Sequence, residues 1–186
     1  STEEYQEIFS LIQEQTGRLS HLAEILLDMT GIQTVERSET ISLAELTEEV
    51  FCDLASVAEQ KQIELIQRDG DCTVTGSYLL LYRAVFNLVE NAIKYNQPGG
   101  SVQITISRSN GKAILRVADT GCGIPDEYRT SIFEPFFRVD KSRSREMGGA
   151  GLGLALVREI AALHGGTVQD EPAEGAGTVF TVALPM

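Results

Sequence analysis

The stretch FNLVENAIKYN carries Asn87, Glu90, Asn91, Lys94 and Tyr95 at i, i+3, i+4, i+7 and i+8, so on a helix they share one face. Asparagine is a mediocre helix former, and two on one face invite a chemical reason. An amide oxygen is a neutral ligand suited to a hard cation such as Mg²⁺. An ammonium one turn further on suits a phosphate. Taken alone, the same face also reads as the solvated side of an amphipathic helix.

Two glycine-rich stretches follow. ADTGCGIP sits directly after a predicted strand. Asp119 at the strand end can accept a hydrogen bond from an exocyclic amine, and Gly121 and Gly123 let the backbone approach a flat ligand. A tight surface turn would have the same composition. GGAGLGLALV places Gly148, Gly149, Gly151 and Gly153 at the mouth of a helix. Exposed N–H groups and the helix dipole favour an anion there. It is neither a P-loop nor a Rossmann fingerprint, since no GK[ST] follows and a loop rather than a strand precedes it. Arg138, Lys141, Arg143 and Arg145, just upstream, offer cations to a polyphosphate.

The elements that must carry these residues are legible in outline. Residues 3–30 predict one long helix, with Tyr5, Ile8, Ile12, Gln15, Leu19, Leu22, Leu26 and Met29 at the spacings of 3 and 4 typical of a bundle seam, Gln15 alone being polar. Ser42 with Glu45 three residues on matches a capping box, predicting a helix from Leu43 to Gln60. IELIQR and CTVTG read as short strands. Ser77 caps a helix over Tyr78–Tyr95. SVQITISRS and KAILRVAD flank Asn110-Gly111 as a hairpin. Residues 119–153 are loop-rich with one short helix, GLALVREIAALHG is a helix, and GTVQDE and GTVFTVALP close as strands. Strands in pairs between helices predict an α/β (α+β) two-layer sandwich, a mixed sheet with helices on one face, preceded by one bundle-type helix. The division is into residues 1–36 and 40–186.

The 186 residues carry a net charge of −12. Residues 1–60 hold thirteen acids against Arg18 and Arg37, while residues 61–186 are near neutral with fourteen acids and thirteen bases. The acidic part argues against nucleic acid as a partner. No apolar run reaches the roughly 18–20 residues that span a bilayer. Cys52, Cys72 and Cys122 form no CxxC pair and read as reduced cytosolic thiols.

The order and spacing of NLVENAIKY, DTGCGIP, FEPFFR, GGAGLGLALV and GTVFTV resemble the N, G1, F, G2 and G3 boxes of sensor histidine kinases. RLSHLAEILLDMTGIQ is similar to the second helix of that family's dimerisation hairpin. The resemblance implies ATP and Mg²⁺ as ligands. Asn91 would coordinate the metal, and Asn87 and Lys94 would contact phosphates or the metal shell, with Glu90 orienting a donor nitrogen. Tyr95, Asp119, Gly121, Gly123, Ile124 and Thr178 would surround the adenine. Phe133, Phe136 and Phe137 would anchor a lid. Arg138, Arg143, Gly149, Gly151, Leu152, Gly153 and Leu154 would close over the phosphates. Ala150 departs from the Thr common in the family.

In hydrolysing relatives of the same fold a Glu stands four residues before the metal-binding Asn and activates water. Here that position is Asn87, which suits phosphoryl transfer to a protein group rather than hydrolysis. The family's acceptor motif, H-E-x-R-x-P, does not occur in the chain. His21 lies in the stretch resembling the second hairpin helix, and His164 ends the last long helix. Neither reads as an acceptor, so the chain looks truncated, and the acceptor histidine is expected on a hairpin helix outside it. The resemblance further implies a homodimer through that hairpin, a response-regulator receiver domain as partner, and a place on the cytoplasmic side of a membrane-anchored sensor. The competing readings are a nucleotide-binding adaptor with little catalysis, an ATPase of the same fold, and a structural bundle protein.

Overall fold

The structure, a computed structural model, describes residues 32–68, 70–139 and 151–186. The helix expected over 3–30, His21, Lys141, Arg143, Arg145, Gly148, Gly149 and Ala150 lie outside the described residues.

Among the described residues there are three α-helices, and the first two form where the apolar period and a serine cap coincide. Helix α1, Leu43–Gln60, starts at Ser42, whose hydroxyl accepts the Glu45 N–H at 3.2 Å. Its buried stripe is Leu43, Leu46, Val50, Leu54 and Ala58. Helix α2, Tyr78–Lys94, starts at Ser77 and buries Leu81, Val85, Leu88, Ala92 and Ile93 among others. Helix α3, Gly153–Leu163, buries Ala155, Leu156, Val157, Ile160 and Ala161. α2 lies between α1 and α3 in one layer.

The second layer is a five-stranded sheet in the order β2-β4-β5-β7-β6. Its strands are β2 (Glu64–Gln67), β4 (Ser101–Ser109), β5 (Lys112–Asp119), β6 (Thr167–Pro172) and β7 (Thr178–Pro185). β2 runs parallel to β4 and every other pairing is antiparallel, so the sheet is mixed. Register stacks the inward residues in rows across neighbouring strands: Ile104, Val117 and Phe180, then Ile106, Leu115 and Val182. Leu88, Val89, Val102, Ile104 and Val117 are fully buried between the layers. Each such side chain stabilises the fold by about 1.5–3 kcal/mol. The two-layer sandwich predicted from the sequence is the one found.

The β1–β3 pairing was not predicted. β1 (Glu39–Ser42) pairs antiparallel with β3 (Thr73–Gly76) as a separate ribbon. Ile41 opposite Val74 gives it a buried rung. Among the described residues of the loop-rich segment, where one short helix was expected, Asp126–Tyr128 forms a 3-10 turn.

Candidate functional site

The C-terminal half of α2 brings two groups of residues together. Toward α3, Asn87 and Asn91 face the start of that helix. The Asn87 amide donates to the Arg83 carbonyl at 2.8 Å, one turn back, which orients its Oδ1 outward. A Cβ at Gly153 would lie 2.6 Å from that oxygen and 3.7 Å from Asn91 Nδ2. Only glycine lets the first residue of α3 come this close. The first N–H groups of a helix have no intrahelical partner and carry its positive end. Two amide side chains therefore stand beside a helix start suited to an anion. Leu152 underlies it, fully buried, and Leu154 is half-buried against the core.

Toward the sheet, Asp119 ends β5 with only 9% of its surface exposed. Its Oδ1 accepts the Gly121 N–H at 2.8 Å and the Thr178 N–H at 3.3 Å. Both bonds converge on one oxygen, which leaves Oδ2 for a donor in the cleft. Burial pushes the Asp119 carboxyl above its ordinary range, and these two backbone bonds pull it partly back. Gly121 backs onto the end of α2: the Cys122 N–H donates to the Tyr95 carbonyl at 3.3 Å. Gly177 completes the pocket wall, for a Cβ there would sit 2.0 Å from the Asp119 carbonyl oxygen, and its φ of +114° excludes most side chains besides. Thr178 is buried beside it.

The remaining expected residues fall around these two groups. The Lys94 ammonium sits over the Tyr95 ring, 5.4 Å from its centroid. Burial raises the Tyr95 hydroxyl pKa, and the charge of half-buried Arg138 opposes the rise. Glu90 is exposed on the next turn. Phe133 is buried edge-on to Phe180, and Phe137 packs on Tyr128. Phe136 is exposed with φ +65°, and its N–H donates to the Gly151 carbonyl at 2.8 Å. This bond fastens the approach to α3 onto the FEPFF segment. Sequence reasoning did not single out Gly177, although it opens the predicted strand GTVFTVALP.

His164 caps α3 with both ring nitrogens engaged. Nδ1 lies 2.8 Å from the Ile160 carbonyl and Nε2 accepts the Ser77 N–H at 3.0 Å. Among the described residues no group of three or more His, Cys, Asp or Glu is placed to hold a metal ion. No described helix is long and apolar enough to cross a membrane.

The C-terminal half of α2 thus stands between an amide pair at a helix start and a buried carboxylate held by two backbone N–H groups. The family profile described as "Histidine kinase-, DNA gyrase B-, and HSP90-like ATPase" matches residues 76–186, and the chain belongs to that family. Its relatives are sensor histidine kinases, and the chain is an ATPase domain of the kind found in two-component sensors. It is 38% identical to sensor histidine kinase RppB of Synechocystis sp. over 182 residues, covering 94% of this chain and 40% of RppB. Full-length ShkA in complex with AMPPNP superposes with a TM-score of 0.75 at 27% identity, over 97% of this chain and 39% of ShkA. Histidine kinase ThkA in complex with response regulator TrrA gives 0.71 at 28% identity, over 91% of this chain and 48% of ThkA. The chain thus spans about two fifths of the length of RppB.

Proposed function

We propose that this chain is the ATP-binding catalytic part of a protein-histidine kinase, which passes the ATP γ-phosphate to a histidine other than His21 or His164 and onward to a response-regulator aspartate. The observation that carries it is the Asp119 carboxylate, buried and held by Gly121 and Thr178 through one oxygen, with the other left for an adenine amine. The residues present fit a Mg-nucleotide. The free Oδ2 of Asp119 can accept from an amine donor, and Gly153 lets the start of α3 approach Asn87 closely. Asn91 would hold the metal through its amide oxygen, which when bound neutralises charge on the phosphates. Asn87, the start of α3, Arg138 and Lys94 would bind and orient the phosphates. Asn87 cannot serve as a base for water, which favours transfer over hydrolysis.

Residues 1–36 belong, on this reading, to a dimerisation hairpin, and the ThkA complex with a response regulator supports a receiver domain as partner. The protein would work on the cytoplasmic side of a membrane-anchored sensor. The test is calorimetric titration of Mg-ADP into the chain, beside Asp119→Ala and Asn91→Ala. Saturable binding abolished in the first variant and weakened in the second only when Mg²⁺ is present is the expected result. Absence of binding by the parent chain would remove the nucleotide assignment. Appearance of label on His21 after incubation with γ-labelled ATP would overturn the assignment of an acceptor elsewhere.

A further inference from the structure

Arg129 makes contacts that neither the fold's core nor the amide pair requires. Its guanidinium reaches three places at once. Nη1 bonds Asp170 Oδ2 at 2.9 Å, Nε bonds Asp126 Oδ1 at 3.0 Å, and Nη2 lies 3.4 Å from the Ile124 carbonyl oxygen. The Asp170 side chain is 9% exposed and that of Arg129 18%, whereas Asp126 is almost wholly in solvent. The tie to Asp170 is therefore the strong one, and the exposed pair with Asp126 adds little. Burial pushes the Asp170 carboxyl up, and the Arg129 charge opposes this.

The position of this fork matters because of what Ile124 ends. The loop from Asp119 to Ile124 is fixed at its near end by the Asp119–Gly121 bond and by Cys122 on Tyr95. In its middle, Gly123 passes so close to β7 that a Cβ there would lie 3.3 Å from the Gly177 carbonyl oxygen. Its far end is fixed by the Arg129 fork, whose other arm is on β6. Asp170 pairs in register with Phe180 of β7, two residues beyond Thr178. The fork thus sets the loop's distance from the strand whose Thr178 N–H orients Asp119.

We propose that Arg129 is a positioning residue for the base end of the nucleotide site, pinning the Gly121–Ile124 loop to β6 through Asp170 so that Asp119 keeps the geometry that selects a 6-amino over a 6-oxo purine. The proposal rests on the nucleotide reading above. A carboxylate oxygen accepts from the amine of adenine but faces another acceptor in guanine, so discrimination depends on how tightly the cleft is held.

The experiment measures Mg-ADP and Mg-GDP affinities for the parent chain, Arg129→Lys and Asp170→Asn. Lysine keeps a charge near Asp170 but has no planar fork to span three acceptors. The ratio of the two affinities is independent of the fraction of protein folded, since both ligands meet the same population. Both variants are expected to lower that ratio by roughly threefold to tenfold, as loss of a charge-assisted contact does. A parent that binds Mg-ADP with variants that keep its ADP-over-GDP ratio would overturn the role of Arg129 alone. A parent that binds neither nucleotide would overturn the nucleotide reading, and this role with it.

Discussion

Gly153 stands so close to Asn87 that a Cβ in its place would lie 2.6 Å from the Asn87 side-chain oxygen. Gly153→Ala must therefore displace Asn87 or shift the start of α3. Mg-ADP affinity is expected to fall roughly tenfold, the equivalent of about 1.4 kcal/mol. The same change in an Asn87→Ala background should add little, because the clash has gone. Additive losses in titrations of the single and double variants would show that the two residues act separately.

Gly177→Ala tests the pocket wall. The added carbon would sit 2.0 Å from the Asp119 carbonyl oxygen at a φ that alanine disfavours. The fold is expected to survive while nucleotide binding is lost. Retained Mg-ADP binding with a native circular dichroism spectrum would count against this geometry.

Asp119 gives the site an acid limit. Its carboxyl titrates above the ordinary 3.8 because burial outweighs the Gly121 and Thr178 bonds. Protonation of Oδ2, the oxygen left for the amine, would put a donor where the site needs an acceptor. Nucleotide affinity should be full at neutral pH and decline on acidification at a higher pH than an exposed aspartate would cause. Affinity that stays flat down to the ordinary aspartate range would contradict this.

His164 links stability to pH in the opposite half of the domain. Its pKa is lowered from 6.5, mainly by burial and also by the charge of Arg37, against the raising effect of the Ile160 carbonyl. The folded state thus holds the ring neutral while the unfolded chain takes up a proton. The stabilisation is complete above about pH 6.5 and is lost as the pH falls from there toward the lowered folded value. Denaturant titrations should show His164→Asn less stable at pH 7.5 by about 1–3 kcal/mol, with a flatter profile below neutrality.

Two tyrosines join α1 to α2. The Tyr78 hydroxyl donates to Glu49 and the Tyr82 hydroxyl to Asp53. The Glu49 bond is the main cause that pushes Tyr78 up to about 12, while burial first and the Asp53 bond second raise Tyr82 further. In a spectroscopic phenolate titration, Glu49→Gln should bring one tyrosine back toward 10.0 and leave Tyr82 high. No change in that variant would rule out the Tyr78–Glu49 bond.

The parts of the fold legible in the sequence are those fixed by neighbours in the chain. Ser42 and Ser77 mark helix starts because the cap and its N–H partner are three residues apart. Asn110-Gly111 marks the hairpin because both residues take positive φ. Asn87 with Asn91, and Asp119 with Gly121, likewise show their grouping by spacing alone. What escaped depends on distant partners. β1 has a single inward residue whose support, Val74, lies 33 positions on by register. Arg129 reads as one more surface charge until β6 brings Asp170 to it across 41 residues.

The Ser77–His164 bond also acts as a stop. It joins the N-cap of α2 to the C-cap of α3, while Asn87 meets α3 at Gly153, eleven residues before His164. Sliding α3 by one residue would move it about 1.5 Å, enough to part His164 from Ser77. The gap in which Asn87 faces the start of α3 is therefore gauged from the far end of the helix, and the imidazole serves as its reference point.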